Sequence, residues 1–175
     1  MDLQALSDIS LPDQNGVEHR LGDLWKDKPV VVVFLRHFGC HNCRDHAVQL
    51  RDRYTDLQAQ GIDLVAIGTG SKTYAGAFVR DEHIPYLVLV DDDAKAAQAA
   101  SVKVVSWYGL LHWTTWSKSI EAWRRGARIH KAGKRVKQLG ATFVLGPGDQ
   151  VRYSHVDADS TDHAPVPEIL AAVGV

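Results

Sequence analysis

Six apolar residues, Val30 to Leu35, run without a polar interruption and give way five residues later to Cys40-His41-Asn42-Cys43 and a helical pattern. A strand this rich in β-branched residues, with no polar side to offer water, belongs at the centre of a sheet that is covered on both faces. The next segment must therefore turn back as a covering helix. The recurrence of Ala47, Leu50, Tyr54 and Leu57 at three- and four-residue steps predicts that helix over about Cys40 to Gln60, with Gly61 as its C-cap.

The rest of the chain alternates in the same way. Residues 4–11 and 17–21 bracket the turn Pro12-Asp13-Gln14-Asn15-Gly16 and read as a small hairpin. Strands are expected at Ile62–Ile67 and Tyr86–Val90, with a helix between them at Ser71–Glu82. Asp91, Asp92 and Asp93 offer an N-cap to a short Ala-rich helix ending near Ser101. Thr142–Leu145 and Val151–His155 flank Gly146-Pro147-Gly148-Asp149 as antiparallel strands, and Pro167–Val173 reads as a closing helix. A βαβα unit followed by ββα, with CxxC after the first long strand, is the thioredoxin-like α/β arrangement: a central mixed β-sheet flanked by helices. The 175 residues fit a single domain, 1–175, with residues 102–140 inserted before the last hairpin.

Cys40 and Cys43 are the only cysteines. The thiolate is the reactive form, and the unpaired N–H groups of a helix's first turn favour it. Arg36 and Arg44 flank the pair, and His37, His41 and His46 add positive charge when protonated, so the spacing predicts a redox dithiol with a depressed thiol pKa. A structural zinc site needs four ligands, and no second CxxC or paired histidine cluster accompanies this one; neither a metal nor a bound cofactor is expected. The Gly68-Thr69-Gly70 bend lacks the Lys-Ser/Thr of a phosphate loop and reads as a strand-to-helix turn. Asp162-His163 reads as a surface cap.

The first residues carry neither a basic region nor an apolar core of a secretory signal, and no apolar run reaches the roughly 18 residues of a membrane span. The cytoplasm is the expected location, where two thiols serve as a working pair more often than as a structural bridge.

The segment from Val31 to His46, with Phe34-Leu35-Arg36-His37-Phe38 leading into the CxxC, resembles the peroxiredoxin-like 2 group of the AhpC/TSA superfamily. The stretch from Gln138 to Val175 is also similar, in its Leu145-Gly146-Pro147-Gly148 turn, the strand after it, Asp162-His163 and the final helix. The resemblance implies a thiol-dependent oxidoreductase that reduces a peroxide, an organic hydroperoxide or an endoperoxide-type substrate. A thioredoxin- or glutathione-type reductant would recycle it, and a homodimer is compatible with the fold. Against the ordinary peroxiredoxin motif, Cys43 falls on the peroxide-attacking cysteine, Cys40 on the threonine, Arg36 on the proline and Gly140 on the active-site arginine. Against thioredoxin, Cys40 is the attacking thiol, and the proline expected before Ala141 is missing. The resemblance leans to Cys43 for O–O cleavage and to Cys40 for disulfide exchange. A thiol–disulfide reductase, a non-catalytic redox sensor or binding protein, and a specialised biosynthetic redox enzyme are the alternatives.

The formal net charge of −1 conceals a strong asymmetry: Ser117–Lys137 carries +7 and the remainder −8. Trp116, Ile120, Trp123 and Ala127 fall on one helical face, with Arg124, Arg125 and Arg128 turned away, so a Trp-rich basic helix is expected. Its bland role is to pack on the core with a solvated face. Its functional role is to wall a substrate pocket with Trp113, Trp116 and Trp123 and to hold an anionic group with Arg124 or Arg128. No nucleic-acid motif is present, and neither nucleic acid nor membrane is an expected partner.

Overall fold

The computed structural model describes residues 1–104 and 138–174. In chain order the elements are α1 (Leu3–Ser7), β1 (Ser10–Pro12), β2 (Glu18–Arg20), α2 (Leu21–Leu24), β3 (Val30–Leu35), α3 (His41–Arg51), α4 (Tyr54–Ala59), β4 (Asp63–Gly68), α5 (Lys72–Asp81), β5 (Leu87–Val90), α6 (Lys95–Ala99), β6 (Ala141–Gly146), β7 (Gln150–Val156) and α7 (Val166–Val173).

The Val30–Leu35 run is the middle strand of a five-stranded sheet ordered β5-β4-β3-β6-β7. It pairs in parallel with β4 on one side and antiparallel with β6 on the other. Val31, Val33 and Leu35 face a core completed by Ala47 and Leu50 of α3, Phe78 of α5 and Ile169 of α7. Val30, Val32 and Phe34 face the other core, with Leu6, Trp25, Leu89 and Phe143. All six residues are at most 3% exposed. Burying each such side chain contributes roughly 1.5–3 kcal/mol, so this strand is the anchor of the sheet. The sheet is mixed, helices cover both faces, and the fold class read from the sequence holds.

Three local expectations are corrected. Residues 4–9 are not a strand: Asp2 accepts the Ala5 N–H at 3.0 Å and starts α1, which buries Leu6. The hairpin is reduced to β1 and β2, around a turn in which Asp13 accepts the N–H groups of Asn15 and Val17. The long helix expected from Cys40 to Gln60 is two helices, α3 and α4. At Arg53 the N–H bonds Leu50 O, one residue nearer than in an α-helix, and the regular spacing resumes only with Leu57 to Arg53 O. The N-cap position of α6 falls on Ala94, not on an aspartate, but Asp91 of the run still accepts the N–H groups of Lys95 and Ala97 at 2.8 and 3.0 Å.

The expected helical insertion at 102–140 lies largely outside the described residues. Its two ends meet: Val104 pairs with Gln138, and the Leu139 N–H bonds Lys103 O at 2.9 Å. The segment therefore leaves and returns at one point, immediately before β6. No helix among the described residues is long and apolar enough to cross a membrane.

Candidate active site

The loop between β3 and α3 is short and tied at both ends. Thr69 Oγ1 donates to Arg36 O at 2.6 Å, and the Cys40 N–H bonds His37 O at 3.0 Å. The Phe38 ring lies against the end of β4. A Cβ on Gly68 would come within 2.6 Å of that ring, so only glycine allows this approach. The outcome is a rigid turn that presents Cys40 at the N-cap of α3, in extended conformation at φ −74° and ψ 118°.

Cys40 Sγ accepts the Cys43 N–H at 3.4 Å, and the Cys43 thiol donates to it at 2.6 Å. Both cysteines are free. Their environments push the two thiols apart. The hydrogen bond from the Cys43 thiol lowers Cys40 from its ordinary 9.0 to about 6; burial opposes this, while the Cys43 N–H and the charges of Arg36 and His163 add to it. Burial drives the Cys43 thiol up, reinforced by its hydrogen bond to Cys40 and by the charge there. Cys40 retains 8% exposure and Cys43 only 1%. Both sulfurs are buried, Cys40 the less completely, and the pair is thus a thiolate at the cap with a protonated thiol behind it.

The residues read from the sequence as thiolate-activating separate in space. Arg36 lies where its charge acts on both sulfurs. Arg44 does not serve the thiols: it points to the end of α5, bonding Glu82 at 2.6 Å and Asp81 at 3.1 Å, 5.9 Å from the centre of the Phe78 ring. His37 supplies no positive charge, because burial and the neighbouring Arg36 lower its pKa to about 4. His46 is neutral as well, lowered to about 4 by burial and by His163. His41 is exposed at the start of α3. Trp113, Trp116, Trp123, Arg124 and Arg128, read as a substrate wall, lie outside the described residues.

In their place the fold brings in a group that the sequence alone does not reveal. Asp157, just after β7 and 2% exposed, accepts from His163 Nδ1 at 3.1 Å. The surface cap expected of Asp162-His163 holds for Asp162, which accepts the Ala158 N–H at 2.8 Å, and is corrected for His163, whose partner is Asp157 and whose ring stacks on His46 of α3 at 5.1 Å and 10°. Asn42, between the two cysteines, donates to Ser160 O at 3.0 Å and ties the 157–163 loop to the dithiol. His155 Nε2 lies 3.3 Å from Asp162 and 3.7 Å from Asp157. The only sequence signal for this group is Asp162-His163 itself, and adjacency along the chain names the wrong carboxylate.

Gly140, aligned in the sequence with the arginine of ordinary peroxiredoxins, sits immediately before β6. A Cβ there would collide with the Asp157 carboxylate and approach Phe34 O to 2.9 Å. The space an arginine side chain would need is filled by Asp157.

A central CxxC strand in this topology, with the dithiol at a helix N-terminus, matches the family model described as the AhpC/TSA family over residues 3–154. The chain belongs to that family. The thioredoxin-like protein AAED1, chloroplastic, of Arabidopsis thaliana is 31% identical over 183 residues, covering 96% of this chain and 71% of that protein. Peroxiredoxin-like 2C of Bos taurus is 27% identical over 181 residues, covering 98% of this chain and 79% of that protein. Peroxidoxin BcpB from Mycobacterium tuberculosis has the same thioredoxin-like fold, with a TM-score of 0.71, 22% identity, and coverage of 95% of this chain and 91% of that one. As an AhpC/TSA protein with an intact dithiol, the chain has a peroxiredoxin-like oxidoreductase frame in which the usual arginine position is closed.

Proposed function

We propose that this protein reduces an O–O bonded substrate through the Cys40/Cys43 dithiol, with Cys40 as the attacking thiolate and Cys43 as the resolving thiol. The observation that carries this reading is the divergence of the two thiols: the more exposed one is held as a thiolate and the buried one is kept protonated behind it. With a pKa of about 6, Cys40 is roughly 90% ionised at pH 7. Burial and a raised pKa count against the alignment with ordinary peroxiredoxins, which gives the attack to Cys43.

In the first step the Cys40 thiolate attacks one peroxide oxygen, the S–O bond forms, the O–O bond breaks, and the leaving alkoxide takes a proton from solvent. With a hydroperoxide the product is Cys40 sulfenic acid; with an endoperoxide, whose oxygens both carry carbon, it is a sulfenate ester from which Cys43 displaces an alkoxide in place of hydroxide. Cys43 sulfur then attacks Cys40 sulfur; the S–S bond forms, and the expelled hydroxide leaves as water with the Cys43 proton. A dithiol reductant of the thioredoxin type, or two equivalents of glutathione, restores both thiols and is itself oxidised to a disulfide.

A second reading, thiol–disulfide reduction by the same Cys40 thiolate, is favoured by the absence of an arginine at position 140 to steady a breaking O–O bond. The two separate in one experiment. The reduced protein is mixed with hydrogen peroxide, an organic hydroperoxide, an endoperoxide or a disulfide, and oxidation is followed by mass. Fast loss of two hydrogens with an O–O substrate is the expected result, abolished by Cys40→Ser and halted by Cys43→Ser at a one-oxygen adduct with a hydroperoxide or at a whole-substrate adduct with an endoperoxide. Inertness toward all three O–O substrates, with fast disulfide exchange, overturns the first reading for the second.

A further inference from the structure

The proposed chemistry needs a stable negative charge on Cys40, and among the described residues fewer cations serve it than the sequence promised. Arg44 is committed to Asp81 and Glu82, and His37 and His46 are neutral. Among the described residues, what remains beside Arg36 is the 157–163 loop, which is pinned to the start of α3 by the Asn42–Ser160 bond.

The geometry of that loop is that of an imidazole held in one orientation. Nδ1 of His163 faces a carboxylate that is 2% exposed, so the bond to Asp157 is shielded from water and fixes which way the ring lies. The flat stack on His46 fixes the ring plane. Nε2 of His163 is buried without a hydrogen-bond partner, so charging the ring leaves that N–H unsatisfied and must be offset by the negative charges of Asp157 and Cys40. Asp157 itself is locked by Gly140, whose missing side chain is what allows the carboxylate to sit there.

We infer that His163, oriented by Asp157 and clamped by His46, is the positioning residue that supplies the counter-charge to the Cys40 thiolate. This rests on the reading of Cys40 as the attacking thiol. Around His163 stand His155 of β7, Asp157 just beyond it, Asp162 from its own loop, His46 from α3 and Cys40 at the cap of α3. Among the described residues, the groups whose charge or hydrogen bonding acts on Cys40 are Cys43, Arg36 and His163. Burial opposes the charging of His163, but the bond and charge of Asp157, then Cys40 and Asp162, raise its pKa above the ordinary 6.5. When Cys40 becomes a sulfenic acid or a disulfide its negative charge disappears, and His163 loses one of the charges that hold its proton. Oxidation of the dithiol is therefore accompanied by partial release of a proton from His163.

The first test uses the wild-type chain. Histidine resonances are titrated by NMR in the reduced protein and after Cys40 is capped with iodoacetamide, which leaves a neutral thioether. The His163 pKa falls on capping if the two charges face each other; an unchanged titration overturns the inference. The second test is His163→Gln, whose amide can still donate to Asp157. The pH profile of Cys40 alkylation shifts upward by about half to one pH unit, as expected for losing one of several nearby charges. An unmoved profile, in a variant with native circular dichroism, also overturns it. These outcomes do not depend on the substrate. If the profile moves but no O–O substrate oxidises the dithiol, the functional reading fails and the counter-charge stands; if peroxides oxidise Cys40 with the profile unmoved, the reverse holds.

Discussion

Replacing Cys43 by alanine removes the thiol that donates to Cys40 at 2.6 Å, the largest cause of the lowered Cys40 pKa, and leaves the Cys43 N–H, Arg36 and His163 in place. If that hydrogen bond accounts for half of the displacement from 9.0 to about 6, Cys40 in the variant titrates near about 7.5. Two effects then compete. At pH 5 the thiolate fraction falls roughly 30-fold, while a thiolate of higher pKa is about five-fold more nucleophilic, so alkylation slows about six-fold. At pH 9 both proteins are almost fully ionised and the variant reacts about five-fold faster, with the two curves crossing near about pH 7. Cys43→Ser keeps a hydroxyl donor and stays close to wild type. The assay is the iodoacetamide rate at Cys40, read by mass between pH 5 and 9. An alanine variant that is slower at pH 9, or that matches wild type at every pH, refutes the account in which the buried thiol sets the charge on its neighbour.

Gly140→Ala places a Cβ against the Asp157 carboxylate and 2.9 Å from Phe34 O, which is backbone of the central strand and cannot yield. Overpacking of this kind costs about 1–3 kcal/mol in urea unfolding, and a variant as stable as wild type contradicts it. Arg44→Leu leaves Asp81 and Glu82 without their guanidinium and lowers stability by about 1–3 kcal/mol, while the Cys40 alkylation profile does not move; a shifted profile would return Arg44 to the thiols. His37 and His46 have folded-state pKa values of about 4 against 6.5 unfolded, so the unfolded chain binds more protons between those values. Stability of the reduced protein therefore declines as pH falls from 6.5 to 4. The other two groups act above that window: the stability that Cys40 contributes is lost as pH falls from 9.0 toward about 6, and the raised pKa of His163 adds stability as pH falls toward 6.5 and stays constant below it. His46→Gln flattens that slope, which thermal melts across the range measure; an unchanged slope counts against a buried neutral His46.

Much of this protein was legible in local chemistry. An unbroken β-branched run has nowhere to lie but a central strand, and Val30–Leu35 took that place. A CxxC after such a strand falls at the start of the covering helix, and Cys40 became its N-cap. Strand β4, helix α5 and the β6–β7 hairpin came within a residue or two of their expected limits, because Ser71, the aspartate run and the Gly-Pro-Gly turn act on neighbours a few positions away.

What the tertiary structure decided was direction. Charge in the sequence surrounded the dithiol on every side, yet α3 turns Arg44 toward α5, and burial neutralises His37 and His46. His163, 120 residues beyond Cys43, arrives because β7 runs back beside β6 and carries Asp157 to the end of the sheet where the cysteines lie. Turn hydrogen bonds and helix caps are short in sequence as well as in space, so a chain displays them openly. Desolvation and charge pairing across a sheet depend on which distant segments come together, and only the folded chain states that.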